Sequence, residues 1–224
     1  MVNVILFDLD GTLTDSGEGI MKSVQYALEK IGRPEPDLEK LRVFVGPPLL
    51  EQFMEYAGVD RETAELAVGY YRERFAPVGI YENYVYPGIK DMLLTLKTGE
   101  FLLGVASSKP EVFVRQVLDH FDLTKYFDVI VGSEMDGGRT GKSDVIEEAL
   151  RRLGYSDRRD EVIMVGDKSH DVAGAASCGI RCIAVSYGYG TREELESASP
   201  VFIADSPEEI PDFFASSRRE KLLI

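Results

Sequence analysis

Short continuous apolar runs alternate with stretches in which apolar residues recur at helical spacing. The runs are Val4-Ile5-Leu6-Phe7, Phe101-Leu102-Leu103-Gly104-Val105-Ala106, Asp128-Val129-Ile130-Val131-Gly132 and Glu161-Val162-Ile163-Met164-Val165, with further runs at 181–185 and 201–204. Between them, Ile89, Met92, Leu93 and Leu96 mark one helix and the stretch from Pro110 to Phe121 another. Val145, Ile146, Ala149, Leu150 and Leu153 mark a third, and 171–178 a fourth. Strands without internal alternation, separated by helices, predict a parallel sheet covered on both faces. The chain is therefore expected to be α/β. It has no internal repeat, no low-complexity tract and no disordered tail beyond the final few residues.

One region breaks this rhythm. From about 16 to 82 no convincing strand occurs. Asp15-Ser16-Gly17-Glu18 reads as a helix start with a capping box, followed by a stripe at Ile20, Val24, Leu28 and Ile31 that Gly32 and Pro34 stop. Leu50, Phe53, Met54 and Ala57 predict a second helix, and Ala64, Ala67, Val68, Tyr71 and Phe75 a third. The expected organisation is a core of 1–15 and 83–224 with an all-helical insert at 16–82.

The chemistry gathers where the apolar runs end. Asp8 and Asp10 close the first run, with Gly11-Thr12 following, and side chains alternate, so both acids project near one strand end while Leu9 points away. Carboxylates this close repel unless a cation or a shared proton intervenes. Their spacing points to a hard cation such as magnesium together with a phosphate, one Asp serving as nucleophile. The run at 161–165 closes in Gly166-Asp167-Lys168-Ser169-His170-Asp171, and that at 101–106 in Ser107-Ser108-Lys109-Pro110. Parallel strands bring such ends to one edge, where open α/β sheets bind ligands. Each segment also has a plain reading, as a turn aspartate or a helix cap. Three coincidences favour one site.

These residues resemble the motifs of the haloacid dehalogenase superfamily, in order and across nearly the whole chain. Asp8-Leu9-Asp10-Gly11-Thr12-Leu13-Thr14 is similar to the first motif, Ser107 to the second, and Gly166-Asp167 through Asp171 to the fourth. The third, a lysine, falls in Arg139-Thr140-Gly141-Lys142-Ser143-Asp144; Lys142 is the choice, with Arg139 as the alternative source of charge. The resemblance implies a Rossmann-like core with a mobile helical cap, hinged near Thr14-Asp15-Ser16 and Tyr81-Glu82-Asn83.

It also implies roles. Asp8 would attack phosphorus to form a phosphoaspartate, and Asp10 would protonate the leaving oxygen and later take a proton from water. Magnesium would sit on Asp8, the backbone carbonyl of Asp10 and Asp167, with Asp171 holding a metal-bound water or orienting Lys142. Ser107, Lys142 and the backbone amides of Leu9 and Ser108 would stabilise the phosphoryl group. An acid at position 10 favours phosphoryl transfer over dehalogenation. The turn Gly46-Pro47-Pro48 has no basic residue nearer than Arg42, which favours a hydrolase over a mutase of the beta-phosphoglucomutase type. The likeness is greatest to phosphoglycolate phosphatases and 5′-nucleotidase-like members. Specificity is expected from the insert, with Lys22 and Gly46 as substrate-side candidates. Tyr56, Tyr70, Tyr71, Tyr81, Tyr84 and Tyr86 offer rings for a base but fit better as packing. A small carboxylate substrate would need Arg42, Lys22 or Arg72.

Composition narrows the partners. With 39 acidic and 25 basic residues the net charge is −14, which argues against nucleic acid or an anionic membrane as partner and leaves a small phosphomonoester. No apolar run approaches the roughly 18 residues of a membrane span, and Asp8 comes too early for a signal peptide. Cys178 and Cys182 lack the neighbours of a zinc site and suit a reducing cytoplasm. Oligomeric state is left open. A receiver-type phospho-acceptor module, the rival reading, would lack both the helical insert and the Asp167–Asp171 pair.

Overall fold

The computed structural model describes residues 2–136 and 138–221; the tail expected at the chain's end lies outside the described residues beyond Lys221. In chain order, β1 (Val4–Phe7) leads through a turn to β2 (Thr14–Asp15) and α1 (Gly17–Lys30). A 3-10 segment at Leu38–Phe44 precedes α2 (Leu49–Ala57) and α3 (Arg61–Phe75). After a 3-10 turn at Gly79–Tyr81 come β3 (Tyr84–Val85), α4 (Ile89–Thr98), β4 (Leu102–Pro110) and α5 (Glu111–His120). Next are β5 (Val129–Ser133), α6 (Lys142–Leu153), β6 (Val162–Gly166) and α7 (Ser169–Ser177). The chain closes with β7 (Arg181–Val185), α8 (Arg192–Ala198), β8 (Phe202–Ala204) and α9 (Glu209–Lys221).

Six strands form one parallel sheet in the order β5-β4-β1-β6-β7-β8, so β1 lies inside with β4 and β6 as neighbours. Alternation along the strands divides the core in two. Ile5, Phe7, Leu103, Val105, Ile163 and Val165 face a layer built by α4, α5 and α9, through Leu93, Leu96, Val114, Val117, Ile210 and Phe214. Val4, Leu6, Ala106, Val131, Val162 and Met164 face α6 and α7, through Val145, Ile146, Ala149, Val172 and Ala175. Burial of both faces is why the strands read as unbroken apolar runs.

The helices between β2 and β3 pack on each other, α1 against α3 and α3 against α2. Their entry and exit are joined: β2 pairs antiparallel with β3, Thr14 opposite Val85 and Asp15 opposite Tyr84. The expected capping box does not form. Asp15 belongs to β2, and its Oδ1 accepts from the Tyr189 hydroxyl at 2.6 Å and from the Gly17 amide at 3.3 Å. Glu18 instead accepts from Lys22 at 2.5 Å. The 3-10 segment, α8 and α9 have no counterpart in the apolar pattern. Among the described residues no helix is long and apolar enough to cross a membrane, and Cys178 and Cys182 are buried free thiols.

Two glycines let α1 approach the chain that follows α3. A Cβ on Gly19 would stand 1.9 Å from the Gly79 carbonyl oxygen, and one on Gly79 would stand 2.6 Å from Ser23 Oγ. Alanine at a helical glycine gains about 1 kcal/mol of helix propensity, but a backbone carbonyl cannot give way, and overpacking costs about 1–3 kcal/mol. At 1.9 Å from a backbone oxygen the upper end of that cost applies, so Gly19→Ala is expected to lower stability by about 2 kcal/mol, read as a lower urea midpoint. A midpoint that stays or rises would overturn this packing argument.

Candidate active site

Register brings the chemistry to one edge. Phe7 stands opposite Val105 of β4 and Val165 of β6, so the next residues, Asp8, Ala106 and Gly166, stand side by side. Alternation puts Asp8 on the side of Val4 and Leu6, toward α6 and α7. The chain then turns at once. Leu9 is fully buried in the opposite apolar cluster, and Gly11 adopts φ +84°, where a Cβ would also stand 2.2 Å from Asp167 Oδ2. Both the backbone and the space require glycine here.

Lys142, the first residue of α6, reaches down into this edge. Its Nζ lies 2.9 Å from Asp8 Oδ1 and 2.8 Å from Asp171 Oδ1, and donates to the Ala106 carbonyl at 3.2 Å. Gly174 on α7 makes room, since a Cβ there would meet Lys142 Cγ at 2.6 Å. Asp171 Oδ2 accepts from the Lys168 amide at 3.0 Å. Asp167 Oδ2 accepts from the Tyr189 amide at 2.8 Å, and its Oδ1 from the Thr12 hydroxyl at 3.4 Å.

Burial governs the charges. It raises the Asp8 carboxyl above its ordinary range, against the pull of Lys142, and Asp171 pushes the same way. It raises Asp167 further, with Asp171 and Asp8 adding to the effect. Burial also presses on Asp171, but the adjoining Lys142 ammonium prevails and holds that carboxyl low. For Lys142, burial opposes the charge while Asp171 and Asp8 more than restore it.

One ammonium thus faces three buried carboxyl groups. Asp8, Asp167 and Asp171 each offer a carboxylate oxygen within 4.8 Å of the others, an arrangement that fits a hard cation bound by oxygen. Since Lys142 and the Lys168 amide already engage Asp171, Asp8 and Asp167 are the carboxylates best placed to hold an ion. The Asp10 side chain stands apart from the cluster, which leaves only its backbone carbonyl for that role. Both Asp10 oxygens accept from Lys109 Nζ, at 3.1 and 2.8 Å.

Above this edge lies a cavity of about 130 Å³ between the sheet and the helical insert. Asp8, Asp10, Ser107, Ser108 and Lys109 form its floor, and Phe44, Tyr71, Phe75 and Phe113 much of its wall. Gly46, Pro47, Pro48 and Arg72 also border it. Of the six tyrosines considered for the insert, Tyr71 is the one that lines this cavity among the described residues. Tyr56 packs on Phe44, Tyr81 on His120 and Tyr86 on Tyr187.

Two expected cations lie elsewhere. Lys22 is held by Glu18 and by Glu82, at 2.5 and 3.2 Å, and does not border the cavity. Arg42 sits over the Tyr189 ring, 5.4 Å from its centre, in a separate groove. Two carboxylates hold the first and an aromatic ring the second. Arg139 likewise turns outward, to Glu134 at 3.2 Å and to the Gly132 carbonyl at 3.3 Å. Two contributors escaped sequence reasoning. Lys109 lies in the strand end at 107–110, but its partner Asp10 is distant in sequence; Tyr189 follows β7, a further strand ending at the same edge, whose end was open to the same reading.

The geometry separates the two candidate bases of the third motif. Removing one partner of a buried ion pair costs about 3–5 kcal/mol, whereas exposed pairs contribute about 0–1 kcal/mol. Arg139 is only half-buried, so Lys142→Met should destabilise the fold more than Arg139→Met in urea denaturation. Added magnesium should recover part of the Lys142→Met loss by taking over charge compensation. Equal losses in the two variants would refute this account of the site's electrostatics.

Known proteins bear on this geometry. The haloacid dehalogenase-like hydrolase family matches residues 5–185. A 5′-nucleotidase of Pseudomonas aeruginosa is 47% identical over 88% of this chain and 88% of its own length. The tyrosine-protein kinase PtkA of Mycobacterium tuberculosis is 40% identical over 89% of this chain and 67% of its own. Phosphoglycolate phosphatase 1 of Pseudomonas aeruginosa is 30% identical over 91% and 76%. The crystal structure of a predicted phosphatase from Clostridium acetobutylicum, 48% identical, superposes with a TM-score of 0.93 over 96% of this chain and 99% of that one. With strand order, motif positions and these similarities in agreement, the chain is an enzyme that belongs to the haloacid dehalogenase-like hydrolase family.

Proposed function

We propose that the enzyme is a magnesium-dependent phosphatase that hydrolyses a small phosphomonoester, of the nucleoside 5′-monophosphate class, through a phosphoaspartate on Asp8. The observation that carries this reading is the Lys142 ammonium set between Asp8 and Asp171, with Asp167 alongside, and Asp8 itself bordering the cavity.

In this reading an Asp8 oxygen attacks phosphorus and the ester oxygen departs with a proton from Asp10. Water then attacks the phosphoaspartate, Asp10 takes its proton, and phosphate leaves as Asp8 is regenerated. Lys142 and Ser107 face the transferring group with positive charge and a hydroxyl, and Leu9 and Ser108 stand at the two strand ends beside it. Magnesium, held by Asp8, Asp167 and the Asp10 carbonyl, would neutralise phosphate charge against the surrounding carboxylates. Lys142 is the base we assign to the third motif, and Asp171 its orienting partner. The insert at 16–82 acts as a cap over the cavity.

Aromatic walls support a substrate with a flat apolar portion, and the similarity to a protein named 5′-nucleotidase points the same way. Arg72 gives a second reading some weight: it is a cation bordering the cavity and would suit the carboxylate of phosphoglycolate.

Phosphate release over a panel of phosphomonoesters tests both. Nucleoside 5′-monophosphates should exceed phosphoglycolate by about tenfold in kcat/KM, equivalent to about 1.4 kcal/mol; the reverse order would move the assignment to the carboxylate substrate. Chelation should abolish turnover and magnesium restore it. Asp8→Asn should reduce turnover to background with the fold intact, because the amide cannot attack phosphorus. About a tenth of wild-type activity surviving in that variant would be too much for the loss of a nucleophile.

A further inference from the structure

Lys109 has a buried side chain, and none of the roles assigned so far uses it. It lies at the end of β4, where its side chain is 6% exposed and that of Asp10 9%. Its ammonium donates to both Asp10 oxygens. The same nitrogen stands 4.6 Å from the centre of the Phe75 ring. Phe75 is the last residue of α3, in the helical insert, and is itself fixed by stacking on Tyr71 and by an edge contact with Phe113 of α5. The Lys109 amide donates to Ser107 Oγ at 3.4 Å, so the residue also braces the neighbouring hydroxyl.

We propose that Lys109 is a positioning residue that fixes the Asp10 carboxyl group and ties it to the helical insert through Phe75. The carboxyl torsion of an aspartate is broad, and a proton passes only within about 2.6–3.2 Å of its destination. Two hydrogen bonds from one ammonium remove that freedom. The ammonium is in turn held on the face of a ring belonging to the insert, a contact that strengthens on desolvation. Displacement of α3 therefore loosens Lys109, and with it the group that serves the leaving oxygen. Lys142 works separately, on Asp8 and Asp171. The insert is thus linked to Asp10 rather than to Asp8.

This inference rests on the phosphatase reading above and refines the part played by Asp10. The informative measurement compares an aryl ester, p-nitrophenyl phosphate, whose leaving oxygen needs little help from an acid, with an alkyl ester such as a nucleoside 5′-monophosphate, whose leaving oxygen needs a proton. In Lys109→Met the ratio of kcat for alkyl over aryl ester should fall about tenfold or more, since positioned acid catalysis contributes about 10²–10⁴-fold. Phe75→Leu should shift the ratio the same way, by roughly threefold. Lys109→Arg, which can bond both oxygens and stack on the ring, should return the ratio to within about threefold of wild type. A merely structural residue would lower both esters equally, and that outcome, or an unchanged ratio, overturns the proposal. If Lys109→Met does not fold, Phe75→Leu with Lys109 intact gives the same decision. Wild-type enzyme that hydrolyses neither ester overturns the phosphatase reading as well; hydrolysis of both with ratios indifferent to Lys109 and Phe75 overturns this inference alone.

Discussion

Three carboxyl groups and one ammonium share a space that water hardly reaches, and that arrangement constrains everything built around it. Removing an ion from water costs several kcal/mol even after relaxation, while an opposite charge about 4 Å away returns about 4 kcal/mol at the effective dielectric of a protein. Lys142 therefore holds Asp171 low but leaves Asp8, and further Asp167, short of compensation, the direction in which burial pushes both carboxyls. The deficit is tolerable in a protein that admits a cation and intolerable in one that does not. It also fixes architecture: α6 must start at the sheet edge, α7 must carry a small residue where Lys142 passes, and Ala106 must present its carbonyl to the same nitrogen.

The two acids of the first motif are one residue apart yet live under different electrostatics. Asp8 answers to Lys142, on the α6 and α7 side of the sheet. Asp10, past the strand end, answers to Lys109 and stands beneath the insert. A single residue of separation suffices because the chain turns sharply at Gly11. Two neighbouring carboxyl groups are thus held in place by separate cations, Lys142 for Asp8 and Lys109 for Asp10.

Much of this was legible in the residue order. Unbroken apolar runs reported strands buried on both faces, and the residues ending those runs reported the edge where they meet. Asp8, Asp167 and Asp171 follow from that reading, because parallel topology converts distant stretches into neighbours, while Lys142 comes from the resemblance to the family's third motif. What the pattern could not carry was competition among side chains. Lys22 read as a cap-side candidate until Glu18 and Glu82 claimed it, and Asp15 read as a helix cap until the Tyr189 hydroxyl did. Lys109 escaped for the complementary reason, since its partner Asp10 is 99 residues away and nothing local announces the pair. Short elements with mixed composition, the 3-10 segment and α8 among them, are set by tertiary contacts that periodicity does not encode.

The small ribbon of β2 and β3 carries a consequence for the polymer as a whole. It clamps the two crossings of the insert at adjacent points, so the sheet experiences everything from Ser16 to Asn83 as one closed loop. The entropy of closing a loop grows only with the logarithm of its length. Residues can then be added to or removed from the insert at little cost to the core, provided both ends return to the same two-residue ladder. The insert is free to drift in size and shape, while the sheet edge that gathers Asp8, Asp167 and Asp171 keeps its register.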